Sequence, residues 1–271
     1  MPELPEVQTT CNGIAPIITG KTVTDVVVRK RQLRWPVTAG IKNKLIGHQV
    51  IKVWRRGKYI LLQFDKGSLI VHLGMSGHLA VVDQKQEVKK HDHVDIFFGP
   101  TTVLRYHDPR RFGAVLWTAA NPLEHALLHN IGPEPLGPEF TADYLFTVTR
   151  KRKRIIRDVL LDGKIVAGIG NIYANEALFR AGIDPRRAAG RISRVRMQKL
   201  VTALVEVLSA GIRAGGTTLR DFRGGDGRPG YFQQSLSVYG RSGEPCPVCQ
   251  QIIDSEIRGG RSLFYCRRCQ I

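Results

Sequence analysis

The first half of the chain alternates short apolar runs with polar turns. Strand-like runs rich in Val, Ile, Leu and aromatic residues cover 22–28, 50–54, 59–64 and 68–73, and further candidates cover 78–83, 93–98, 102–106 and 113–117. Gly, Lys and Asp turns separate most of these runs and leave no room for crossover helices. The pattern therefore predicts an antiparallel β-sandwich or barrel, preceded by a helix at residues 5–18.

The pattern changes after residue 130. Residues 131–143 contain three prolines and two glycines, which is typical of a linker. Helical periodicity follows over 144–162, 172–182, 192–215 and 217–223. One buried helix face is predicted from apolar residues at three- and four-residue steps: Met197, Leu200, Val201, Leu204, Val205 and Leu208.

These patterns predict an α+β multidomain protein. The expected division is a β-sandwich domain with a leading helix at 1–130, a linker at 131–143, a helical domain at 144–236 and a small metal-binding tail at 237–271. No internal repeat or low-complexity tract interrupts this order.

The charge balance is strongly basic and uneven. The formal net charge is +18, with 18 basic and 13 acidic residues in 1–149 but 23 and 10 in 150–271. The excess in the second half predicts that this half faces a polyanion. No apolar run approaches the length of a membrane span, and the first residues lack the basic and apolar regions of a signal peptide, so we expect a cytoplasmic protein.

Four of the five cysteines form two C-x-x-C pairs, Cys246/Cys249 and Cys266/Cys269, sixteen residues apart. This spacing fits a tetrahedral four-thiolate zinc site, and no histidine lies beyond His129 to make a mixed site. Since four thiolates leave no open position, one structural Zn²⁺ is predicted, the alternative being redox-active or unligated thiols. Between the pairs, two strands flank a glycine turn that presents Arg261 either to nucleic acid or to solvent.

A second basic feature is the run of five cations at 150–154, which includes Arg152. The apolar residues of a helix follow it directly, so the run is anchored to structure. Phosphate binding is favoured over a solvated helix face.

Two glycine-containing segments match nucleotide-binding motifs only in part. The turn from Gly168 to Asn171 lacks the third glycine of a dinucleotide fingerprint, and Gly20-Lys21-Thr22 lacks the upstream glycine of a P-loop. We therefore expect no nucleotide cofactor. A glycine turn that enters a helix at Asn171 still suits a backbone phosphate, because free amides and the helix dipole point towards it.

The amino terminus contains a candidate nucleophile. A methionine before proline is normally removed, which leaves Pro2 with a free secondary amine beside the Glu3 carboxylate. A helix that begins nearby is expected to lower the pKa of this amine. Such an amine can attack an electrophilic carbon and form an iminium, whereas the alternative is an ordinary chain start.

The opening Pro2-Glu3-Leu4-Pro5-Glu6-Val7 and the four-cysteine tail together resemble the formamidopyrimidine-DNA glycosylases, the bacterial repair enzymes for oxidised purines. Five further motifs match in chain order: His72-Leu-Gly-Met75-Ser-Gly, Lys90-His91-Asp92-His93-Val94-Asp95, Asp108-Pro-Arg110-Arg111-Phe112-Gly113, Gly170-Asn171-Ile-Tyr173 and Gly215-Gly-Thr-Thr218. The resemblance covers essentially the whole chain. It implies a β-sandwich, a helix–two-turn–helix domain and a zinc hairpin, working as a monomer on damaged duplex DNA in the bacterial cytoplasm and nucleoid.

The resemblance also implies catalytic roles. Pro2 is the expected nucleophile at C1′ of the damaged nucleotide, and Glu3 the neighbouring acid/base. Lys58 matches a lysine that assists base release and β-elimination, and Arg261 an arginine of the δ-elimination step. The implied activities are glycosylase and abasic-site lyase.

Other matching residues are implied in DNA binding. Met75, Arg110 and Phe112 match three residues that fill the space left by the extruded base, with Arg110 facing the orphaned partner. The residues that match backbone or groove contacts are His91, Arg110, Arg152 and Asn171. The glycine-rich stretch 217–231 resembles a loop that closes over oxidised guanine.

Three positions depart from the family pattern or lie outside it. Gln8 stands where the usual opening has Glu, Arg157 replaces a common lysine, and Cys11 is a thiol outside the zinc set. Two alternatives remain: the sister enzyme for oxidised pyrimidines, whose opening usually reads Pro-Glu-Gly-Pro, and a non-catalytic DNA-binding protein with a zinc ribbon. Leu4 and the glycine-rich stretch favour the purine enzyme.

Overall fold

A computed structural model describes residues 1–216 and 236–271 of the chain. The described residues form two compact units, the first made of 1–130 and 214–216 and the second of 131–213 and 236–271. Residues 131–143, expected as a linker, are grouped with the second unit. Gly132 donates its N–H to Gly163 O at 2.8 Å, and Pro133 O accepts from Ala167 N at 2.9 Å. The four-part division stays a prediction.

The first unit begins with helix α1 (Leu4–Ile18), close to the predicted span. Leu4, Val7, Cys11, Ile14 and Ile18 recur at three- and four-residue steps and are all buried. This face packs on strands of both sheets of the first unit. The helix thereby fixes the N-terminal residues against the β-structure.

Eight strands form two four-stranded antiparallel sheets, which confirms the predicted sandwich. The first sheet has the order β1 (Asp25–Val28), β6 (Asp92–Phe98), β7 (Thr102–His107) and β5 (His78–Asp83). The second has the order β2 (Val50–Arg56), β3 (Tyr59–Phe64), β4 (Gly67–His72) and β8 (Ala114–Thr118). Apolar side chains of both sheets and of α1 share one buried cluster. A short helix, α2 (Ile41–Leu45), was not predicted.

The second unit is helical in its central part. Its helices are α3 (Ala142–Thr149), α4 (Ile156–Leu160), α5 (Asn171–Arg180) and α6 (Arg194–Arg213). The predicted single helix at 144–162 is wrong, because Lys151 adopts a left-handed φ of 62° and residues 150–155 separate α3 from α4. On α6 the predicted face is buried except for Val205, which is 37% exposed. The predicted helix at 217–223 lies outside the described residues.

A two-stranded antiparallel hairpin completes the second unit. Strand β9 (Asp254–Arg258) pairs with β10 (Arg261–Tyr265), as the sequence predicted. Gly259 and Gly260 make the turn with φ values of 58° and 71°, which glycine adopts without strain. Within the described ranges, no helix combines the length and apolar content needed to cross a bilayer.

Candidate active site and nucleic-acid interface

The predicted nucleophile and acid/base lie at the start of α1. Pro2 is buried and Glu3 is 3% exposed. Glu3 is the N-cap of the helix, and its N–H donates to Glu6 Oε2 at 2.9 Å within a capping box. A Cβ on Gly216 would lie 3.1 Å from Glu6 Oε1, so glycine permits this close approach to α1. The Glu3 carboxylate therefore lies at the positive end of a helix dipole.

Lys58 lies in the turn between β2 and β3, after Gly57 at φ 56°. It is half-buried. Burial, and then the charges of Lys58 and Arg34, lower the pKa of His72 to about 4. His72 is therefore neutral near pH 7, and its Nδ1 accepts the N–H of Gly74 at 3.1 Å. This hydrogen bond connects the neighbourhood of Lys58 to the loop that carries Met75.

Met75, Arg110 and Phe112 are brought together on two loops. Met75 is 42% and Phe112 39% exposed, and the Arg110 guanidinium lies 4.7 Å from the Phe112 ring centroid. A Cβ on Gly74 would lie 2.7 Å from Phe112 C and Gly113 N, so the two loops pack backbone against backbone. Exposed apolar side chains on a tightly packed support have the form of a wedge for a base stack.

Asp108 supports the Phe112 loop through hydrogen bonds and was not singled out from the sequence. It is fully buried, and its Oδ2 accepts from Gly113 N at 2.9 Å and from the Tyr106 hydroxyl at 3.2 Å. Burial and the Asp108 charge raise the pKa of Tyr106 well above its usual value. The Tyr106 hydroxyl also lies 3.0 Å from His72 O. Only the Asp-Pro-Arg-Arg-Phe-Gly motif signalled this support.

His91 is half-buried in a group of imidazole rings on the first sheet. Its ring meets those of His93 and His107 edge-on, with centroids 6.2 and 5.9 Å away. His93 Nε2 lies 2.8 Å from Asp108 O, so this group adjoins the Phe112 loop.

Arg152 is exposed in the connection between α3 and α4. Its Nε donates to Val148 O at 2.6 Å, and its backbone oxygen accepts from Gly190 N at 3.0 Å. A Cβ on Gly190 would lie 3.0 Å from that oxygen. The basic run is therefore a fixed turn of the backbone and not the face of a helix.

Asn171 and Arg157 hold the hairpin that carries Arg261. Asn171 begins α5 and donates its Nδ2 to Ser262 O at 2.8 Å. Arg157 is 1% exposed and donates to Arg258 O at 3.0 Å. Burial lowers the pKa of Arg157, and the charges of Arg261 and Arg258 act in the same direction. The supporting role of Arg157 was not predicted, and the charged residue type gave no signal of burial.

The four predicted zinc ligands converge at the base of the same hairpin. Their sulfur atoms all lie within 4.8 Å of one another, with Cys249–Cys266 at 3.4 Å and Cys246–Cys269 at 3.9 Å. Tetrahedral bonds to zinc of about 2.3 Å imply sulfur separations of roughly 3.8 Å, so the thiolates fit one structural Zn²⁺. The carboxylate of Glu176 accepts three backbone N–H groups, those of Ser237, Val238 and Tyr239. It thereby fixes the backbone segment that precedes the first cysteine pair.

The chain is similar to known proteins along its whole length. Models described as the formamidopyrimidine-DNA glycosylase N-terminal domain, the H2TH domain of that enzyme and a zinc finger found in FPG and IleRS match residues 1–115, 131–223 and 243–271. The formamidopyrimidine-DNA glycosylases of Cellvibrio japonicus and Methylococcus capsulatus are 52% and 53% identical, with all of each chain covered.

Solved structures agree with these sequence relatives. The MutM (Fpg) protein of Thermus thermophilus has a TM-score of 0.89 at 36% identity, covering 99% of this chain and 98% of that one. Lactococcus lactis Fpg bound to abasic-site DNA has a TM-score of 0.91 at 31% identity, with 99% of both chains covered. The same Lactococcus protein has also been solved with DNA that contains an oxidised pyrimidine. Full-length identity of 52–53%, with motifs, zinc ligands and fold in agreement, shows that the chain belongs to the formamidopyrimidine-DNA glycosylase family.

Proposed function

We propose that this protein removes oxidised purines, 8-oxoguanine and formamidopyrimidines, from duplex DNA and then cleaves the strand by β,δ-elimination. The observation that carries this proposal is the placement of Pro2 and Glu3, both buried at the positive end of α1. Removal of Met1 turns the Pro2 nitrogen into a secondary amine beside a carboxylate. That pair provides a nucleophile and a proton carrier at one point of the fold.

The Pro2 nitrogen bonds to C1′ as the bond from C1′ to the damaged base breaks. Glu3 transfers a proton while the sugar ring opens, and the product is an iminium between Pro2 and the sugar. Lys58 assists departure of the base and the β-elimination that follows. Arg261 assists the δ-elimination, on a hairpin held by Asn171 and Arg157.

The damaged nucleotide leaves the base stack before this chemistry. A base inside a duplex is out of reach, and extruding it costs a few kcal/mol. Met75 and Phe112 fill the vacated space, and Arg110 faces the orphaned base. Their loops are suited to this task for two reasons. Gly74 lets the two loop backbones pack closely, and Asp108 accepts the backbone N–H of Gly113.

Affinity for DNA comes from sequence-independent contacts to phosphates. His91, Arg152 and the Asn171 turn supply such contacts, supported by the excess of basic residues in 150–271. The protein acts as a monomer in the bacterial cytoplasm, on the nucleoid, without a nucleotide cofactor. The zinc ion stabilises the hairpin and takes no part in the reaction, because four thiolates leave it no open position for a substrate.

Excision of oxidised pyrimidines is a second candidate activity. The complex of the Lactococcus relative with an oxidised-pyrimidine DNA favours it. Leu4 favours the purine substrate, and the glycine-rich stretch 217–231, which also favours it, lies outside the described residues.

Strand cleavage under single-turnover conditions tests the proposal. Matched duplexes carry 8-oxoguanine, an oxidised pyrimidine or no lesion at one position. We expect fast cleavage at 8-oxoguanine and no cleavage of the undamaged duplex. Equal or faster cleavage at the pyrimidine would shift the assignment to the second candidate, and no cleavage of any duplex would contradict both.

A further inference from the structure

We propose that His107 is a positioning residue for base extrusion, because it fixes two loops of the first unit relative to each other. These are the Met75 loop, residues 73–77, and the Phe112 loop, residues 108–113. The inference rests on the proposed function, which gives both loops the space left by the damaged base. His107 acts through these loops and holds the side chains that enter the base stack at a fixed separation.

The two loops leave the first sheet at directly opposite residues. His78 is the first residue of β5 and follows the Met75 loop, whereas His107 is the last residue of β7 and precedes the Phe112 loop. The antiparallel register pairs these two residues with each other. A displacement of either strand end therefore moves one loop relative to the other.

The side chains of this opposed pair are stacked. The imidazole rings of His78 and His107 have centroids 4.6 Å apart and planes inclined by 29°. Ring stacking at this separation is attractive and directional. The backbone is also close, because a Cβ on Gly77 would lie 3.2 Å from His107 O. His107 therefore contacts the end of the Met75 loop through both its ring and its backbone.

A buried carboxylate fixes the orientation of the His107 ring. Asp92 is 4% exposed, and its Oδ1 lies 2.7 Å from His107 Nδ1. Burial acts to raise the pKa of Asp92, but hydrogen bonds from Lys89 N and His107, together with nearby positive charge, keep that pKa below its usual value. An ionised carboxylate only accepts hydrogen bonds, so His107 Nδ1 carries the proton and donates it. The stacked ring is thereby held in one tautomer and one orientation.

The backbone that follows His107 is fixed at the same place. Asp108 donates its N–H to His91 O at 3.0 Å, and its Oδ2 accepts from Gly113 N at 2.9 Å. These two bonds hold both ends of the segment that carries Phe112. Small displacements of such a support are costly, because the groups it carries must meet their target within a fraction of an ångström.

The stack of the two imidazoles can be removed from either side. His107→Asn keeps a donor for Asp92 but has no ring, and His78→Ala removes the other ring while His107 keeps its bond to Asp92. The readout is the fluorescence of 2-aminopurine placed beside 8-oxoguanine in a duplex, which rises when the base stack opens. Both variants should slow this rise by up to about 100-fold, the effect of a small misplacement of positioned groups. Affinity for an undamaged duplex, which needs no extrusion, should stay near wild type.

Two further variants identify the stack as the cause. His78→Phe should restore the wild-type rate, because a phenyl ring can stack on His107. The double variant His78→Ala/His107→Asn should be no slower than either single variant, since the same contact is lost in all three.

His48→Asn is the matched control. His48 Nδ1 also lies 2.7 Å from an aspartate oxygen, that of Asp65, and its side chain is 19% exposed against 17% for His107. It lies just before β2 and outside both loops, so this variant should keep the wild-type rate.

Three results would overturn the positioning role of His107. They are wild-type rates in both His107→Asn and His78→Ala, an equal loss in His48→Asn, and a loss that follows the thermal midpoint and is not restored by His78→Phe. A wild-type protein that neither changes the fluorescence nor cleaves the 8-oxoguanine duplex would instead overturn the proposed function.

Discussion

At the residue scale, Glu3 has two roles that a substitution can separate. Its backbone N–H donates to Glu6 Oε2 at 2.9 Å, and its carboxylate accepts the Glu6 backbone N–H in the same capping box. The carboxylate is also the proposed proton carrier. Glutamine keeps the backbone N–H and an acceptor oxygen at this position, so both hydrogen bonds of the capping box can remain. The chemical role can therefore be tested without removing α1.

Glu3→Gln should lower the rate of base excision by about 10²–10⁴, the usual contribution of a positioned acid/base. DNA binding should be retained, because the side chain keeps its size and the basic contacts are unchanged. Single-turnover kinetics and a binding titration measure the two quantities. The control is Gln8→Glu on the same helix, where Arg55 Nε lies 3.0 Å from Gln8 Oε1. Equal rates for Glu3→Gln and wild type would remove Glu3 from the mechanism.

His72 should make the stability of the first unit depend on pH. Burial lowers its folded pKa to about 4 from 6.5, so on acidification the unfolded chain takes up the proton first. The contribution of His72 to the free energy of unfolding is complete above about pH 6.5. It is lost as the pH falls towards 4, a change of roughly 3 kcal/mol.

His72→Asn should flatten this dependence, since Asn does not titrate and its Oδ1 can accept the Gly74 N–H. Urea unfolding of both proteins at pH 7 and pH 4.5 measures the difference. Burial also lowers the pKa of His93. The dependence of the unfolding free energy on pH that comes from His93 is therefore the same in wild type and variant. Parallel pH profiles for the two proteins would show that His72 is not the group responsible.

At the element scale, the sequence predicted the strands better than the helices. Short apolar runs between Gly and Asp turns have few alternative structures, and all eight predicted strands of the first unit are present. The predicted helix at 144–162 is wrong because apolar residues on both sides of 150–155 continue the helical periodicity, although the chain leaves the helical conformation between them. Arg150 and Ile155 act there as the C-cap of α3 and the N-cap of α4.

The zinc hairpin is held both by metal and by side chains of α4 and α5. Asn171, Asn175 and Arg157 bond to backbone groups of the hairpin. The free energy of zinc binding adds to these contacts and stabilises the site as a folded element.

Cys249→Ser, or removal of zinc with a chelator, should abolish tight DNA binding and leave the first unit folded. The reason is that Arg261 loses its fixed position while the β-sandwich has a separate core. Elemental analysis, a DNA-binding titration and circular dichroism check the three parts. Cys11→Ser is the matched control, because Cys11 lies in the β-sandwich core and outside the cysteine cluster. Wild-type DNA affinity in zinc-free protein would contradict this account.

At the scale of the whole molecule, sequence motifs identified the residues proposed to touch DNA, but not those that hold them. Pro2, Glu3 and the four cysteines could be predicted because their chemistry is local in the sequence. Asp108, His72 and Arg157 could not, since their roles depend on partners distant in the chain. Buried polar residues become visible only when the fold brings such partners within hydrogen-bond distance.

The amines of Pro2 and Lys58 are the two candidates for the nucleophile that attacks C1′ in the proposed reaction. An α-amino group has an ordinary pKa near 8 and a lysine one near 10.4, so the α-amine offers far more free base at neutral pH. If Met1 is retained, or a tag precedes Pro2, the nitrogen becomes an amide that can form no iminium. Such a blocked protein is the natural control for a trapping experiment.

Borohydride trapping on a duplex with 8-oxoguanine, followed by peptide mapping with mass spectrometry, tests the central claim most directly. Reduction converts the iminium into a stable covalent link at the nitrogen that formed it. We predict that the DNA adduct lies on Pro2 and that the blocked protein gives no adduct. An adduct on Lys58, or full cross-linking by the blocked protein, would contradict the proposed mechanism.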